Sequence, residues 1–420
     1  MYCRSDAKVR ALNERELQTY TGPLSPVLRK IFDMCDERTL GLLALVCTRF
    51  RDQAVPLLQR YVPSMWAFGS TTHHLKDVLI APDEGILTGA HALQVAVDQF
   101  THPGRSGYEG SILQYIIENN ISINLNLGTA SPAVAAALKK AAKSIRGVPS
   151  NTVSVSDPRA FHKMHNKVWV IDKEGVIVGS PNISYAGMEG GNFESFIYIR
   201  SPRVGAMFGK YLRYLKEPNN ITLGNAVKLE VAEYNNEEHG MRLAMAPLLK
   251  ITDFLVTELA GATKIVVRQF LISSWRPGRN EVNVLQTLCN MARKRVDIEI
   301  YLDEEAFDTQ PHVREAVGYL LNAGVKVFTQ KPVYVVDAGG ERIQHDKLIL
   351  ATIRTGRMVT PIHRTLIGTA GLTRDVILNT NAESFIATDI PSIYDAIQAH
   401  HLRTLDSEVA DTRPIVLKKA

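Results

Sequence analysis

Residues 165–182 read HNKVWVIDKEGVIVGSPN, and this stretch decides the fold. The pattern is H-x-K, four residues, Asp, six residues, then G-S-x-N. Two apolar runs flank a Lys-Glu-Gly turn, which predicts a hairpin of two buried strands. His165 and Lys167 are two residues apart, so they point to the same side of the first strand. The return strand brings Ser180 and Asn182 back to that end.

These side chains together predict a phosphate site. A lysine supplies positive charge, while serine and asparagine can donate hydrogen bonds to phosphate oxygens. A histidine can attack phosphorus or carry a proton to and from the reacting oxygens.

A second, weaker copy of the pattern begins at His345, where His-Asp-Lys is followed by another apolar run. Gly368 and Thr369 stand where the first copy has Gly179 and Ser180. Between the histidine and the glycine the second copy is nine residues longer, which the tip loop of a hairpin tolerates.

The two copies also share their register. Fifteen residues separate Gly179 from Glu194, and fifteen separate Gly368 from Glu383. The words around the two glutamates, NFESFI and NAESFI, are almost the same. An internal duplication explains this agreement.

Strand-like and helix-like runs alternate in the same order upstream of each motif. The predicted strands are 76–80, 121–127 and 152–155, then 264–268, 296–302 and 325–329; the predicted helices are 110–118 and 132–146, then 281–293 and 312–323. This alternation predicts an α/β protein made of two pseudo-symmetric α/β/α sandwich halves. A pseudo-twofold axis would bring both H-x-K motifs to one cleft.

On these motifs, residues 66–403 resemble the phospholipase D superfamily, whose HKD motif the first copy matches in full. The resemblance implies a ping-pong phosphodiester reaction with no metal or cofactor. One histidine is expected to attack phosphorus and form a phosphohistidine, and the other to protonate the leaving oxygen and then activate water or an alcohol. His165 is taken as the nucleophile and His345 as the acid, although the sequence leaves the opposite order open. Lys167 and Lys347 would hold the phosphate oxygens.

The resemblance assigns roles to further residues. Glu194 and Glu383 match the acidic position that orients the histidines. The expected polar lining is Ser180, Asn182 and Thr369, and the structural motif positions are Asp172, Gly179 and Gly368. The second copy departs from the pattern, with Thr352 in place of Asp and Gly371 in place of Asn.

Residues 24–50 resemble an F-box, with two amphipathic helical runs joined by an acidic turn. Its expected contact residues are Leu24, Leu28, Ile31, Phe32, Leu40, Leu43, Val46 and Phe50. The resemblance implies docking on a Skp-type adaptor of a cullin ubiquitin ligase. The alternative is a helical hairpin that caps the catalytic domain.

The predicted organisation is a helical module, two halves, a linker and a tail. The boundaries are 1–63 for the F-box-like module, 64–203 for the first half, 204–239 for the linker, 240–403 for the second half and 404–420 for the tail.

Composition is that of an ordinary globular protein, with 45% hydrophobic residues and a net charge of +5. Four cysteines without paired or metal-ligand spacing suit a reducing compartment. No apolar run is long enough to span a membrane. We therefore expect a cytoplasmic protein, soluble or peripheral to membranes, or one in the host cytosol if a resident bacterium delivers it.

Three functions are compatible with the sequence. The leading hypothesis is hydrolysis of a glycerophospholipid or transfer of its phosphatidyl group. The first alternative is a nuclease of the same superfamily, for which Arg354, Arg357 and Arg364 could face phosphates, although a solvated loop also explains them. The second alternative is an F-box substrate adaptor whose α/β domain serves for recognition.

Overall fold

The computed structural model describes residues 64–71, 75–81, 85–99, 112–129, 152–155, 163–188, 191–237, 240–273, 283–333, 343–354 and 360–416. The F-box-like segment 24–50, the predicted helix 132–146 and Arg357 lie outside these ranges.

The first half forms a seven-stranded sheet in the order β1-β8-β7-β6-β2-β3-β4. Its strands are β1 Ser64–Gly69, β2 Ala92–Gln99, β3 Ser122–Thr129, β4 Thr152–Val155, β6 Lys167–Ile171, β7 Gly175–Gly179 and β8 Ser195–Arg200. Its helices are α1 Leu75–Ile80, α2 Ile112–Glu118, α3 Tyr185–Met188, α4 Pro202–Lys216 and α5 Ile221–Asn235.

The second half forms a nine-stranded sheet in the order β16-β12-β11-β10-β13-β14-β15-β5, with β9 also paired to β15. The strands are β5 Lys163–Met164, β9 Met241–Ala246, β10 Ala262–Gln269, β11 Asp297–Asp303, β12 Lys326–Pro332, β13 Lys347–Ile353, β14 Ile362–Gly368, β15 Asn381–Thr388 and β16 Ala410–Pro414. The helices are α6 Ile251–Glu258, α7 Val284–Arg293, α8 Glu304–Thr309, α9 Pro311–Asn322, α10 Arg374–Ile377 and α11 Pro391–Arg403.

The two halves repeat one topology, as the sequence predicts. The run β8-β7-β6-β2-β3-β4 of the first sheet corresponds to β15-β14-β13-β10-β11-β12 of the second. In both, the three strands around the motif are antiparallel and the next pairs are parallel. The expectation of two pseudo-symmetric α/β halves is confirmed.

The halves meet in a shared core. On β6, Val168 and Val170 face this core, whereas Trp169 and Ile171 face a separate core of the first half. This alternation follows from the two-residue period of a strand. Leu348 of β13 enters the same shared core from the second half.

One predicted strand is a helix, and the connecting segment and the tail both contain regular structure. Residues 76–80 are not a strand but lie in α1, because Leu75 and Leu79 bury one helical face; β2 is the strand that corresponds to β10. The linker 204–239 is mostly α4 and α5, which pack into the shared core. The tail 404–420 contributes β16, which pairs with β12 at the edge of the sheet.

Within the described ranges, no helix combines the length and the apolar character that crossing a bilayer requires.

Candidate functional site

Each histidine of the two motifs is anchored to the opposite half of the molecule. Met164, just before His165, pairs with Ala382 of β15, and the backbone N–H of His165 donates to the Ala382 carbonyl at 3.1 Å. The second half mirrors this arrangement, since the backbone N–H of His345 donates to the Phe193 carbonyl at 3.0 Å. Ala382 and Phe193 are each followed by a glutamate in the sequence. The pairing therefore places Glu383 beside His165 and Glu194 beside His345.

The histidine–glutamate pairs are consequently crossed. Nδ1 of His165 lies 2.8 Å from Oε1 of Glu383, and Nδ1 of His345 lies 2.9 Å from Oε1 of Glu194. Both carboxylates are almost fully buried. The hydrogen bond between Nδ1 of His345 and Glu194 holds that ring in one tautomer and orientation, so its Nε2 becomes the nitrogen available for chemistry. At His165 the two atoms are close, but their geometry is not that of a hydrogen bond.

Both lysines are buried next to their histidines. Nζ of Lys167 donates to the His165 carbonyl at 2.8 Å, and Nζ of Lys347 donates to the His345 carbonyl. Burial lowers the pKa of Lys167 to about 8 and that of Lys347 to about 7. These values indicate a desolvated and electropositive site, in which an anion would favour the charged ammonium forms.

The remaining titratable groups respond to the same burial. Burial raises the pKa of Glu383 to about 7, although the ammonium of Lys167 and a hydrogen bond from Thr369 oppose the shift. Burial lowers the pKa of His165 well below its ordinary value, and Lys167 adds to that shift. Burial also lowers the pKa of His345, against the attraction of Glu194.

One cavity of about 950 Å³ joins the two motifs. His165, Asn182, His345, Lys347 and Glu383 all line it. Its wall also carries apolar side chains, namely Ala186, Phe270, Leu271 and Ile343. Another cavity, of about 1030 Å³, lies beside β1 and β8, and Asp172 is the predicted motif residue that it contains.

Two residues expected to line the substrate site have a bracing role instead. Oγ of Ser180 accepts the backbone N–H of Ser195 at 2.9 Å, and Oγ1 of Thr369 accepts that of Ser384 at 2.9 Å. Both side chains are fully buried. Thr369 also donates to Oε2 of Glu383 at 2.6 Å. The hydroxyls thus hold the strands that carry the glutamates, and only Asn182 of the expected lining reaches the cavity.

The three structural motif positions have clear physical reasons. A Cβ on Gly179 would lie 2.4 Å from the Ser195 carbonyl oxygen, and one on Gly368 would lie 2.4 Å from that of Ser384, so both positions require glycine. The carboxylate of Asp172 accepts the backbone N–H groups of residues 91 and 92. It therefore fastens the hairpin turn to the start of β2.

The two positions at which the second copy departs from the motif lie in different parts of the structure. Thr352 is on β13, directly across from His363 of β14 and outside the cavity lining. Gly371 lines the cavity where the first copy has Asn182. The second half of the site therefore lacks one amide donor.

Sequence reasoning missed two asparagines beside the glutamates. Nδ2 of Asn192 donates to Oε1 of Glu194 at 3.2 Å, and Nδ2 of Asn381 donates to Oε1 of Glu383 at 3.5 Å. Both line the cavity. The signal was present, because an asparagine stands two residues before the glutamate in both copies of the repeat.

Arg364, a suggested phosphate contact, is engaged elsewhere. Its Nε donates to Oδ1 of Asp389 at 2.6 Å, and its Nη1 lies 2.8 Å from Oε2 of Glu258. This ion-pair network lies on β14, outside the lining of the cavity.

Comparison with known proteins identifies the class of the fold. Residues 109–216 match the family model described as "Cardiolipin synthase, PLD-like domain". That range includes the first motif and all of α4, so the chain contains a phospholipase D-like domain. A search of curated proteins found no match.

Solved structures extend this likeness to both halves. Phosphatidylserine synthase from Haemophilus influenzae Rd KW20 is 10% identical with a TM-score of 0.56, covering 85% of this chain and 88% of that chain. The fold is therefore of the phospholipase D type. Polyphosphate kinase from Porphyromonas gingivalis is 9% identical with a TM-score of 0.47, covering 82% of this chain and 50% of that chain, so the chain spans half the length of that enzyme. The phospholipase D family member Nuc from Salmonella typhimurium is 17% identical with a TM-score of 0.29, covering 40% of this chain and 95% of that chain.

Proposed function

We propose that the chain is a phosphodiesterase or phosphatidyl transferase that acts on a glycerophospholipid through a phosphohistidine intermediate. One observation carries the proposal: two histidines, each paired at Nδ1 with a buried glutamate, line one cavity together with Lys347. Two imidazoles at one phosphorus atom can act as nucleophile and as acid in turn.

The reaction would proceed in two displacements. Nε2 of one histidine forms a bond to phosphorus while the bond to the leaving oxygen breaks, and Nε2–H of the other histidine protonates that oxygen. The second histidine then removes a proton from water or an alcohol as its oxygen attacks the phosphohistidine. Lys167 and Lys347 stabilise the negative charge that develops on the phosphoryl oxygens.

The lining of the cavity favours a lipid over a nucleic acid. Among the described lining residues, Lys163, Lys347 and Arg374 are equal in number to Asp98, Asp375 and Glu383. A nucleic-acid groove would carry an excess of basic side chains along the phosphate backbone. Apolar residues such as Phe270 and Leu271 suit the glycerol and acyl part of a phospholipid instead.

A substrate panel in the presence of a chelator tests the proposal. Purified protein would be offered phosphatidylcholine with a primary alcohol, single-stranded DNA, and bis(p-nitrophenyl) phosphate. We expect head-group release and alcohol transfer. Cleaved DNA with unchanged lipid would reverse the choice of substrate. If none of the three substrates were cleaved, the proposed enzymatic activity would be refuted.

Histidine variants test the shared site. His165→Asn and His345→Asn are each expected to abolish lipid turnover. His363→Asn is the matched control, because His363 is exposed and its ring lies 4.7 Å from the Tyr394 ring, centroid to centroid, outside the lining of the cavity. Full activity in either motif variant would contradict the two-histidine mechanism.

The F-box-like segment supports a separate proposal from its sequence alone. We propose that residues 1–63 bind a Skp-type adaptor. A pull-down with the purified adaptor, using the full chain and a chain that begins at residue 64, tests this. Equal capture of both would refute it.

A further inference from the structure

Two buried polar side chains occupy equivalent places behind the histidine–glutamate pairs. Tyr211 of α4 stands 17 residues after Glu194, and His400 of α11 stands 17 residues after Glu383. Since α4 directly follows β8 and α11 directly follows β15, the internal duplication puts the two side chains at matching positions in the two halves. Both are fully buried, so their hydrogen-bond partners show what each of them holds in place.

Tyr211 joins the first motif to the backbone around Glu383. Its hydroxyl accepts from Nδ2 of Asn166, the middle residue of the first H-x-K motif, at 2.7 Å. The same oxygen lies 2.6 Å from the carbonyl oxygen of Ala246 and 3.1 Å from that of Glu383, so its hydrogen is directed to this strand end. Oγ of Ser384 donates to Oδ1 of Asn166 at 2.8 Å. Neutral groups therefore tie the first motif to the segment that carries the opposite glutamate.

His400 makes the corresponding connection from the second motif. Its Nε2 lies 3.2 Å from Oδ2 of Asp346, the middle residue of the second H-x-K motif, and its Nδ1 lies 2.7 Å from Oγ1 of Thr71. Because a carboxylate can only accept, Nε2 donates to it, and Nδ1 of the neutral ring accepts from the Thr71 hydroxyl. The second motif is thereby tied to the end of β1, in the opposite half.

The end of β1 continues this connection to Glu194. The backbone N–H of Ser70 donates to the Glu194 carbonyl at 2.8 Å, and Oγ of Ser70 accepts the Glu194 N–H at 2.9 Å. A Cβ on Gly69 would collide with the His400 ring, so the ring packs directly on the backbone of this strand. Because Glu194 faces Nδ1 of His345, a movement of His400 would be passed on to that pair.

We propose that Tyr211 and His400 are positioning residues, each of which holds the glutamate of the opposite half against the histidine of its own half. The inference rests on the proposed function for its effect on turnover. Neither side chain lines the cavity, so each acts through its partners rather than on the substrate. A displacement of about 1 Å at reacting groups can cost roughly 10²-fold in rate, which makes such support worth retaining.

Packing alone does not explain polar side chains at these two places. An apolar residue of similar volume would fill either position without the cost of burying polar groups. Both side chains instead bond to the residue between a motif histidine and its lysine, and both reach the backbone beside the glutamate that faces this histidine. These are the two parts whose relative position the crossed pairs require.

Thr71 offers the cleanest test, because it is only half-buried and its replacement should leave the fold intact. Thr71→Val is expected to lower kcat for bis(p-nitrophenyl) phosphate about 10-fold with KM little changed, since the lysines that hold the phosphate stay in place. Thr71→Ser keeps the hydroxyl and should restore kcat. Thr257→Val, at an exposed threonine of α6, is the control. Equal losses in Thr71→Val and Thr71→Ser would overturn the role of the hydroxyl.

Crossed pairs of variants separate positioning from a general loss of stability. Tyr211→Phe removes only the hydroxyl and should lower kcat about 10- to 100-fold. Its effect should largely vanish in a Glu383→Gln background and persist in Glu194→Gln, whereas Thr71→Val should show the reverse pattern. Tyr319→Phe, at an exposed tyrosine of α9, is the control. Equal effects in both glutamate backgrounds would overturn the inference.

A measurement without substrate separates this inference from the proposed function. In protein with isotopically labelled histidine, the ring nitrogen shifts of His345 report its hydrogen bond to Glu194, and His345→Asn assigns the signal. Thr71→Val should move these shifts toward those of Glu194→Gln, and Thr257→Val should leave them unchanged. Unmoved shifts in Thr71→Val would overturn the inference and leave the proposed function standing. Moved shifts in a protein whose wild type cleaves no substrate would refute the proposed function alone.

Discussion

Nδ1 of His345, in the second half of the molecule, lies 2.9 Å from Oε1 of Glu194 in the first half. His165 and Glu383 form the reciprocal pair at 2.8 Å. Neither half therefore contains a complete histidine–carboxylate unit. The site exists only where the two sheets dock, and short parallel pairings between the halves bring each glutamate to its histidine.

The crossed pairs predict a specific coupling between mutations. Glu194→Gln should reduce kcat by about 10²- to 10⁴-fold, because His345 loses the carboxylate that orients it. In a His345→Asn background the same change should have little further effect, since the two residues act as one unit. The rate of p-nitrophenol release measures both.

Asn192→Ala tests the same histidine–glutamate pair in a second way. Nδ2 of Asn192 donates to Glu194, so its loss should weaken the same pair to a smaller extent.

If Glu194→Gln instead lost its effect in a His165→Asn background and kept it in His345→Asn, the crossed assignment would be wrong.

The buried lysines predict a basic limb in the pH profile. Lys347 has a pKa of about 7 and Lys167 of about 8, so both ammonium groups lose their charge as pH rises through that range. We expect kcat/KM for a p-nitrophenyl ester to fall across the same range, because this substrate does not need an acid and reports mainly on phosphate binding.

Arginine substitution checks the origin of that limb. Lys347→Arg keeps the charge at all these pH values, so the limb should move upward even if kcat falls through altered geometry. Lys326→Arg, at an exposed lysine of β12, is the control. A profile that stays flat beyond about pH 9 in the wild type would contradict the assignment.

Replacement of Gly179, at the end of the hairpin, should distort the site by displacing the neighbouring strand. A Cβ on Gly179 would meet the Ser195 carbonyl oxygen and Cβ of Phe196, each at 2.4 Å, which requires movement of the strand that follows Glu194. Gly179→Ala should cost about 1–3 kcal/mol of unfolding free energy and also reduce kcat.

Gly318 of α9 offers the matched control. A Cβ there meets nothing within 4 Å, so Gly318→Ala should stabilise by about 0.5–1 kcal/mol without changing kcat. Urea unfolding and activity of both variants give the comparison. Similar stability changes at the two glycines would contradict the packing argument.

The residue between His345 and Lys347 predicts a pH-dependent stability effect. Asp346 is fully buried and accepts from Nε of Arg268 at 2.9 Å, with Nε2 of His400 at 3.2 Å. Burial alone would raise the pKa of Asp346, but His400 and Arg268 hold it well below its ordinary range. Its contribution is present above about pH 4 and declines as pH falls further.

Arg268→Met removes the guanidinium that donates to this buried carboxylate and should cost about 3–5 kcal/mol at neutral pH. The cost should shrink near pH 3, where Asp346 can take a proton in the variant. Urea unfolding at the two pH values measures it. Arg203→Met, at a half-exposed ion pair with Glu237, should cost less than about 1 kcal/mol. A pH-independent cost for Arg268→Met would contradict this explanation.

Much of the fold could be predicted from local patterns in the sequence. The unbroken apolar run around Trp169 predicts a strand buried on both faces, and Trp169 is 2% exposed. The equal spacing from glycine to glutamate in the two copies predicts the pseudo-symmetry that the strand order confirms. Short apolar runs were less informative, since residues 76–80 fit a helix and a strand equally well.

The sequence by itself determined the two strand pairs, their register and the residue types brought to each end, because these depend on spacing along a few residues. Only the tertiary structure decided that Glu383 serves His165, that Ser180 braces a strand, and that Asp98 stands beside one imidazole where Phe270 stands beside the other. Such contacts join residues more than 60 positions apart or on different sheets, or depend on which way a strand end turns, and no local period encodes how two sheets dock.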